Sequence, residues 1–321
     1  MIGKLEQGHA LLYSSGQAAF HAILEQVKPK VIVGTIGYHG IRHCIKTYSE
    51  LVQGVVVRDL ECKQALEVIE DDFKDLEKID LIHLESPNNP YCIIQEFEKW
   101  SRIAEKHNAV ISVDATFATP LGHRLGDFPL VRYIHHSCTK FLGGHSDILA
   151  GAVICKRKED FEQMKHDRNH SGGVLGSLES FLLLRSLRTF ELRFRKQSAN
   201  SVIIARWLEE KRISTGLVTH VWHPSLPSHP SFKYAKTFCN DLYPPTFGFS
   251  MKTQAMAQKL AQSTYLFVEA TSLGGIESLI DWRRRWDPKN PPTLLRISLG
   301  IEEVEDLIAD LEQAFRVIES L

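Results

Sequence analysis

Lys140 stands in VRYIHHSCTKFLGGHSD (residues 131–147), with Ser137 and Thr139 before it and Gly143 and Gly144 after it. An amine at the end of an apolar run, flanked by hydroxyls and glycines, suits attack on an aldehyde. Burial lowers a lysine pKa, and the neutral amine can form a Schiff base and afterwards act as a base. Asp114 closes a second apolar run, Val110–Val113. It either caps the turn that follows or supplies negative charge to a protonated ring nitrogen. Ser14, Ser15, Gly16 and Gln17 open SSGQAAFHAILEQV, a helix start whose N–H groups and dipole attract an anion, although an ordinary N-cap at Ser15 accounts for the same pattern. Ser137 and Thr139 point the same way if the segment is extended, and both could then donate to one phosphate. Tyr38, in GYHG, either stacks on an aromatic ring and holds a proton, or is a surface aromatic. Arg296, inside LLRIS, needs an anionic partner, which is an amino-acid carboxylate or a nearby Glu. A lysine, an acid for a ring nitrogen, an anion cup and a carboxylate clamp are what pyridoxal phosphate (PLP) asks of a protein that acts on amino acids.

These residues need a frame that brings them together. Short apolar runs at Val31–Thr35, Val55–Asp59, Leu81–Ser86, Val110–Thr116, Tyr133–Ser137 and Gly151–Cys155 read as strands. Segments 16–27, 40–53, 61–78 and 94–107 read as helices. The alternation predicts an α/β layer with a mainly parallel sheet, which binds ligands beyond the carboxyl ends of its strands. Ser86–Pro90, Asp114–Phe117 and Ser137–Lys140 all fall at such ends. A long helical pattern over 178–210 is expected to link two domains, residues 1–190 and 191–321. Residues 215–256 read as short strands and loops. Glu302–Leu321 is an amphipathic helix with apolar Val304, Leu307, Ile308, Leu311, Phe315 and Ile318.

The 321 residues, 43% hydrophobic, can bury a large core, and 38 Lys+Arg against 39 Asp+Glu give a net charge of −1. That balance, without a basic run, asks for neither nucleic acid nor an anionic membrane. No apolar run is long enough to span a bilayer, and the start MIGKLEQGHA has no signal-peptide core, so a cytoplasmic protein is expected. The six cysteines form no CxxC, which suits reduced thiols. Fifteen histidines invite a metal, but there is no HExxH or Cys/His ligand spacing. Adjacent His135 and His136 would face opposite ways on a strand, and no metal is expected. No GxGxxG follows the first strand, which argues against a nicotinamide enzyme.

Seven segments in order resemble the Cys/Met-metabolism PLP enzymes, the family of cystathionine γ-synthase, β-lyase and γ-lyase. SSGQAA is similar to the family's SSGMAA, ESPNNP to ESPTNP, VDATFATP to VDNTFATP, and HSCTKFLGGHSD to HSATKYLGGHSD. LLLRSLRTFELR, TSLGGIESL and RISLGIEEVEDLIADLEQAF follow as in the family's C-terminal part. The resemblance implies a fold-type-I, aminotransferase-like large domain and a smaller C-terminal α/β domain. It implies PLP on Lys140, Asp114 at the ring nitrogen and Tyr38 stacked on the ring. It places Ser15, Gly16, Gln17, Ser137 and Thr139 at the phosphate, Asn89 on the ring-hydroxyl side, and Ser272 and Arg296 on the substrate carboxylate. It implies a homodimer or homotetramer, and trans-sulfuration chemistry on cystathionine, related sulfur amino acids or activated homoserine. The chain departs from the family at Gln17, Ala115, YHGI for YGGT, and Thr271 before the SLGG serine. DWRRRWDPKNPP (281–292) replaces a threonine-bearing loop, in a form that looks closest to fungal members. The family's N-terminal arm with its Tyr-x-Arg has no counterpart before Ser14, so the fold expected is one without the arm. That departure motivates the alternative of a catalytically weakened or inactive member with a structural or regulatory role.

Overall fold

A computed structural model describes residues 1–60 and 66–319. A short helix α1 (Ile2–Leu5) leads into β1 (His9–Tyr13) and α2 (Gly16–Val27). There follow β2 (Val31–Thr35), α3 (His39–Leu51), β3 (Val56–Asp59), β4 (Leu81–Glu85), α4 (Phe97–His107), β5 (Val110–Asp114), β6 (Val131–Ser137) and β7 (Gly151–Cys155). The seven strands form one sheet in the order β1-β7-β6-β5-β4-β2-β3. The five strands from β6 to β3 are parallel, β7 runs antiparallel to β6, and the edge strand β1 runs antiparallel to β7.

The parallel strands are nearly continuous apolar runs because both faces of the sheet are covered. All five residues of β4 and of β7 are buried. Alternate residues feed opposite cores. Ile32, Leu81, Tyr133 and Val153 pack with Phe20, Ile23 and Leu24 of α2 and with Ile41 and Ile45 of α3. Val33, Ile82, Ile111 and Ile134 pack with Phe97, Trp100 and Ile103 of α4 on the other face. Helix boundaries follow local chemistry. The Ser15 hydroxyl accepts the Ala18 amide and starts α2, which ends at Lys28 in the left-handed region. Asn108 closes α4 in the same way.

The expected helix over 61–78 is not found in its described part. Residues 61–65 lie outside the described residues, and the rest holds only a 3-10 turn, Glu70–Phe73. The acidic side chains explain the difference. The Ile69 amide donates to Asp72, and Asp75 forms a bidentate pair with Arg58 of β3, so short carboxylates take up local partners instead of extending a helix. β1 has no counterpart among the expected strands, nor α5 (Lys158–Ser171) among the expected helices. The long pattern expected over 178–210 is two helices, α6 (Ser177–Leu187) and α7 (Phe190–Thr215), interrupted at Arg188 and Thr189.

Beyond α7 come β8 (Val218–Trp222), α8 (Phe232–Phe238), β9 (Thr246–Met251), α9 (Gln254–Ala261), β10 (Val268–Glu269), β11 (Leu279–Trp282), β12 (Leu294–Ser298) and α10 (Val304–Ile318). Their strands form a second sheet in the order β10-β11-β12-β9-β8. Leu307, Leu311, Phe315 and Ile318 of α10 bury the amphipathic face expected from the sequence.

One side of α7 fastens the two sheets together. The Arg193 guanidinium donates to the carbonyls of Phe141, Leu142 and Ser186, with no carboxylate among the described residues on it, and burial pushes its pKa down to about 10. Gly144, at φ +69, lies so close to this guanidinium that any Cβ would collide with it. Gln197 donates to Gly275 O, and Asn200 to Gly300 O and Glu302 O. Arg193→Ala should therefore lower stability in urea denaturation at pH 7 by about 2–4 kcal/mol, since buried carbonyls lose a charged donor. Arg193→Lys should recover little of it, because one ammonium cannot reproduce the fork.

Candidate active site

Three parallel strands end side by side, β4 at Glu85, β5 at Asp114 and β6 at Ser137. The sequence-selected residues collect there. Lys140 sits in the turn after β6. Its Nζ donates to Ser272 Oγ at 3.3 Å, a residue 132 positions away. Burial, and then the positive charge of Arg296, push the Lys140 amine down to about 8. The loop that carries Ser272 is packed against the lysine itself. Gly274, at φ +82, leaves no room for a Cβ between it and the Phe141 amide, and the Ile276 amide donates to Gly144 O.

Arg296 lies on β12 directly opposite Asp281 of β11. Its guanidinium donates to Thr271 O and Ser272 O and reaches Asn89 Oδ1 at 3.5 Å, and Asp281 Oδ2 is 3.5 Å away. The anion beside it is thus an Asp, not the Glu weighed from the sequence. Asp281 also holds Arg283 at 2.6 Å and accepts the Trp286 indole N–H at 3.0 Å. One carboxylate between two guanidiniums leaves a net positive charge in this corner. Burial pushes Arg296 down to about 9, with Arg283 adding to the shift.

On the other side, the Asp114 carboxylate accepts the Thr116 amide at 3.0 Å, and its Oδ2 lies 3.3 Å from His135 Nδ1. Although burial opposes ionisation, His135 and Thr116 hold Asp114 below the usual carboxylate range. Glu85 accepts the amides of Tyr38 and Asn89 at 2.6 and 2.7 Å, so it fixes both residues by their backbones. Burial, and then Asp114, push Glu85 up. The Tyr38 ring lies over Gly40, where a Cβ would collide with it and with the Gln17 amide. Burial and the nearby Asp114 raise the Tyr38 phenol pKa.

The glycine at the start of α2 packs closely on β6. A Cβ on Gly16 would come within 3.1 Å of Ser137 Cβ, so the helix end and the end of β6 are in contact. Two expectations change in detail. Ser15 spends its oxygen on the Ala18 amide as an N-cap. Ser137 and Thr139 do not share a face of an extended segment, because β6 ends at Ser137 and a turn follows. The Thr139 hydroxyl is instead exchanged with the backbone of Ala150, accepting its N–H and donating to its carbonyl.

Arg193, Asp281 and His135 were not singled out as site residues by the sequence. LRTFELR marks Arg193 only as one of several arginines, and the pairing of Asp281 with Arg296 depends on strand register. The fifteen histidines do yield one cluster among the described residues that could hold a metal ion, Glu6, His123 and His136, all buried. Its hydrogen bonding does not suit one. The Leu125 amide donates to His123 Nδ1, so the ring hydrogen is on Nε2 and points to Glu6 Oε1 at 3.2 Å. His136 Nε2 reaches the same oxygen at 2.5 Å. Glu6 thus joins the start of the chain to β6 as a double acceptor.

Known proteins resemble this chain over most of its length. Residues 1–316 match the sequence pattern of the family described as Cys/Met metabolism PLP-dependent enzyme. A cystathionine beta-lyase of Lactococcus lactis subsp. cremoris (strain MG1363) is 31% identical over 98% of this chain and 84% of its own length. A cystathionine gamma-synthase of Mycobacterium tuberculosis (strain ATCC 25618 / H37Rv) is 34% identical over 73% of this chain and 61% of its own. Among solved structures, metB from Corynebacterium glutamicum superposes with a TM-score of 0.90 at 29% identity, covering 99% of this chain and 83% of that one. With a lysine amine lowered to about 8, a carboxylate at the end of β5 and a helix start against β6, the chain belongs to the Cys/Met metabolism family of PLP-dependent enzymes.

Proposed function

We propose that the chain catalyses a trans-sulfuration step on cystathionine, a related sulfur amino acid or an activated homoserine. Lys140 would carry the cofactor, and Arg296 and Ser272 would hold the substrate carboxylate. The observation that carries this reading is the meeting of Lys140, Ser272 and Arg296 from three distant segments at the ends of parallel strands. The residues present fit PLP. The open start of α2 at Gly16 and Gln17, beside Ser137 and Thr139, suits its phosphate. Asp114 suits a protonated ring nitrogen, Asn89 the ring-hydroxyl side and Tyr38 the ring face. When bound, the cofactor supplies an electron sink that makes the substrate α-proton removable.

The chain's own groups do the rest. Lys140, with its pKa lowered to about 8, has a substantial neutral fraction and takes the α-proton. Arg296, held rigidly by two carbonyls, gives the carboxylate a bidentate partner. Tyr38 or Lys140 returns a proton to the leaving sulfur. Residues 1–190 would form the cofactor domain and 191–321 a smaller one that brings Ser272 and Arg296 to it. Related proteins are named as beta-lyases, gamma-synthases and gamma-lyases, so a substrate panel decides which bond is broken. No observation favours the inactive alternative.

Among the described residues no helix is long and apolar enough to cross a membrane. The five described cysteines are free, which supports a cytoplasmic setting. We also place a second copy of the chain, as in a homodimer or homotetramer, against α6. Leu178 and Phe181 there are each 64% exposed and Leu184 is 48% exposed, an apolar stripe at helical spacing.

Three outcomes test this reading. Lys140→Ala should cut turnover by more than about 10²–10⁴-fold and abolish borohydride trapping of PLP. Retained turnover would refute the assignment. Apoprotein should take up PLP with a rate that rises with pH around 8, where Lys140 loses its proton, well below an ordinary lysine near 10.4. Arg296→Leu should raise KM for the amino acid tenfold or more, from the loss of about 1.5–3 kcal/mol of charged hydrogen bonding. It should also shift the uptake profile upward, since a positive neighbour has been removed.

A further inference from the structure

His135 has no part in the chemistry assigned so far, yet it lies between the two ends of the cofactor cradle. It precedes His136 on β6, and the two rings point to opposite sides, His136 to Glu6 and His135 to the site. The His135 residue is 2% exposed. Its Nε2 is 2.7 Å from the carbonyl oxygen of Gly16, the first residue of α2. A carbonyl only accepts, so Nε2 carries a hydrogen. On the other side of the ring, Nδ1 is 3.3 Å from Asp114 Oδ2, an ionic contact rather than an aligned hydrogen bond. A neutral ring with its hydrogen on Nε2 would set the bare Nδ1 lone pair against a carboxylate oxygen where both residues are buried. A second hydrogen, on Nδ1, turns that repulsion into attraction.

We propose that His135 is a positioning residue: a doubly protonated imidazolium that ties the Asp114 carboxylate to the Gly16 carbonyl, fixing the spacing between the ring-nitrogen partner and the phosphate-binding end of α2.

The surroundings agree. Burial works against the charge on His135, but Asp114 outweighs it and the ring pKa is raised. The other groups near the pair leave its proton alone. His83 of β4 bonds Ser112 Oγ through Nδ1 at 2.8 Å, and burial pushes it down to about 3, so it is neutral. Glu85 is pushed up by burial and by Asp114, which keeps the negative charge on Asp114. The Tyr38 phenol is raised by burial and stays protonated. Phe20 of α2 covers the ring from its face, with centroids 6.1 Å apart.

The inference rests on Asp114 being the ring-nitrogen partner, so the test has two independent parts. In the apoprotein labelled with 15N-histidine, one ring should remain protonated on both nitrogens at pH 7. It should disappear in His135→Asn and lose its second proton in Asp114→Asn. A His135 ring with a bare Nδ1 at pH 7 in the wild type overturns the proposal, whatever the variants do. In the second part, PLP is titrated against each protein and the visible band is followed. His135→Leu should raise the PLP dissociation constant about tenfold or more and move the band. His135→Asn, which keeps a donor beside Asp114, should recover most of the band position. If His135→Leu binds PLP as the wild type does, with an unmoved band, the positioning role is overturned. A wild type that takes up no PLP overturns the cofactor assignment of Asp114 instead, and the NMR result alone then decides whether the clamp exists.

Discussion

The site depends on keeping two cations, Lys140 and Arg296, close together in a place with little water. Each is held below its usual pKa, and in each case burial is the main cause. The arginine keeps its proton because its basicity is so high, and the lysine becomes the group that gives one up. Arg296 can stay charged there because Asp281 and two loop carbonyls neutralise and orient it. A guanidinium without those partners would be costly at this depth, and a lysine without that neighbour would be lowered by burial alone and less far. The nucleophile and the carboxylate anchor are thus prepared by the same electrostatic arrangement.

The two sheets divide this work by geometry. The parallel strands deliver Glu85, Asp114 and the Lys140 turn to one edge, because strand ends in a parallel layer coincide. The second sheet is mostly antiparallel and sets Asp281 against Arg296 by direct cross-strand pairing. Glycines then permit the two surfaces to meet. Gly274 lies on the backbone of Lys140 and Phe141, and Gly16 on Ser137. Side chains at these points would open a gap between the groups that have to act on one small molecule.

The sequence made the parallel layer legible because its strands are apolar runs with both faces buried, and because chemistry-bearing residues interrupt them only at their ends. Lys140, Asp114, Tyr38 and Arg296 could be singled out from local motifs, and Asn89 and Ser272 through the family resemblance. What escaped depended on partners far away in the chain. β1 is recognisable as a strand through its pairing with β7. Arg193 gains its meaning from carbonyls of residues about fifty positions earlier. His135, expected to face away from His136, gains its meaning from Asp114 and the Gly16 carbonyl. The helix expected over 61–78 failed in its described part where aspartates found closer partners than the helical ladder offered. The shared face of Ser137 and Thr139 failed because β6 stops at Ser137, two residues short of Thr139.

The row of anchors on α7 has a consequence for how this chain can vary. Arg193, Gln197 and Asn200 follow the spacing of one helical face, and they hold in turn the lysine turn, the Gly275 backbone and the carbonyls that lead into α10. Each residue of an α-helix turns it by about 100°. A single insertion or deletion between Arg193 and Asn200 would leave composition and helix propensity almost unchanged, yet it would swing one group of anchors away while the other stayed in place. Substitutions along this stretch can be absorbed one at a time, whereas a change in its length cannot. In lineages descended from this chain, the residue count from Arg193 to Asn200 should be inherited more strictly than most of the letters between them.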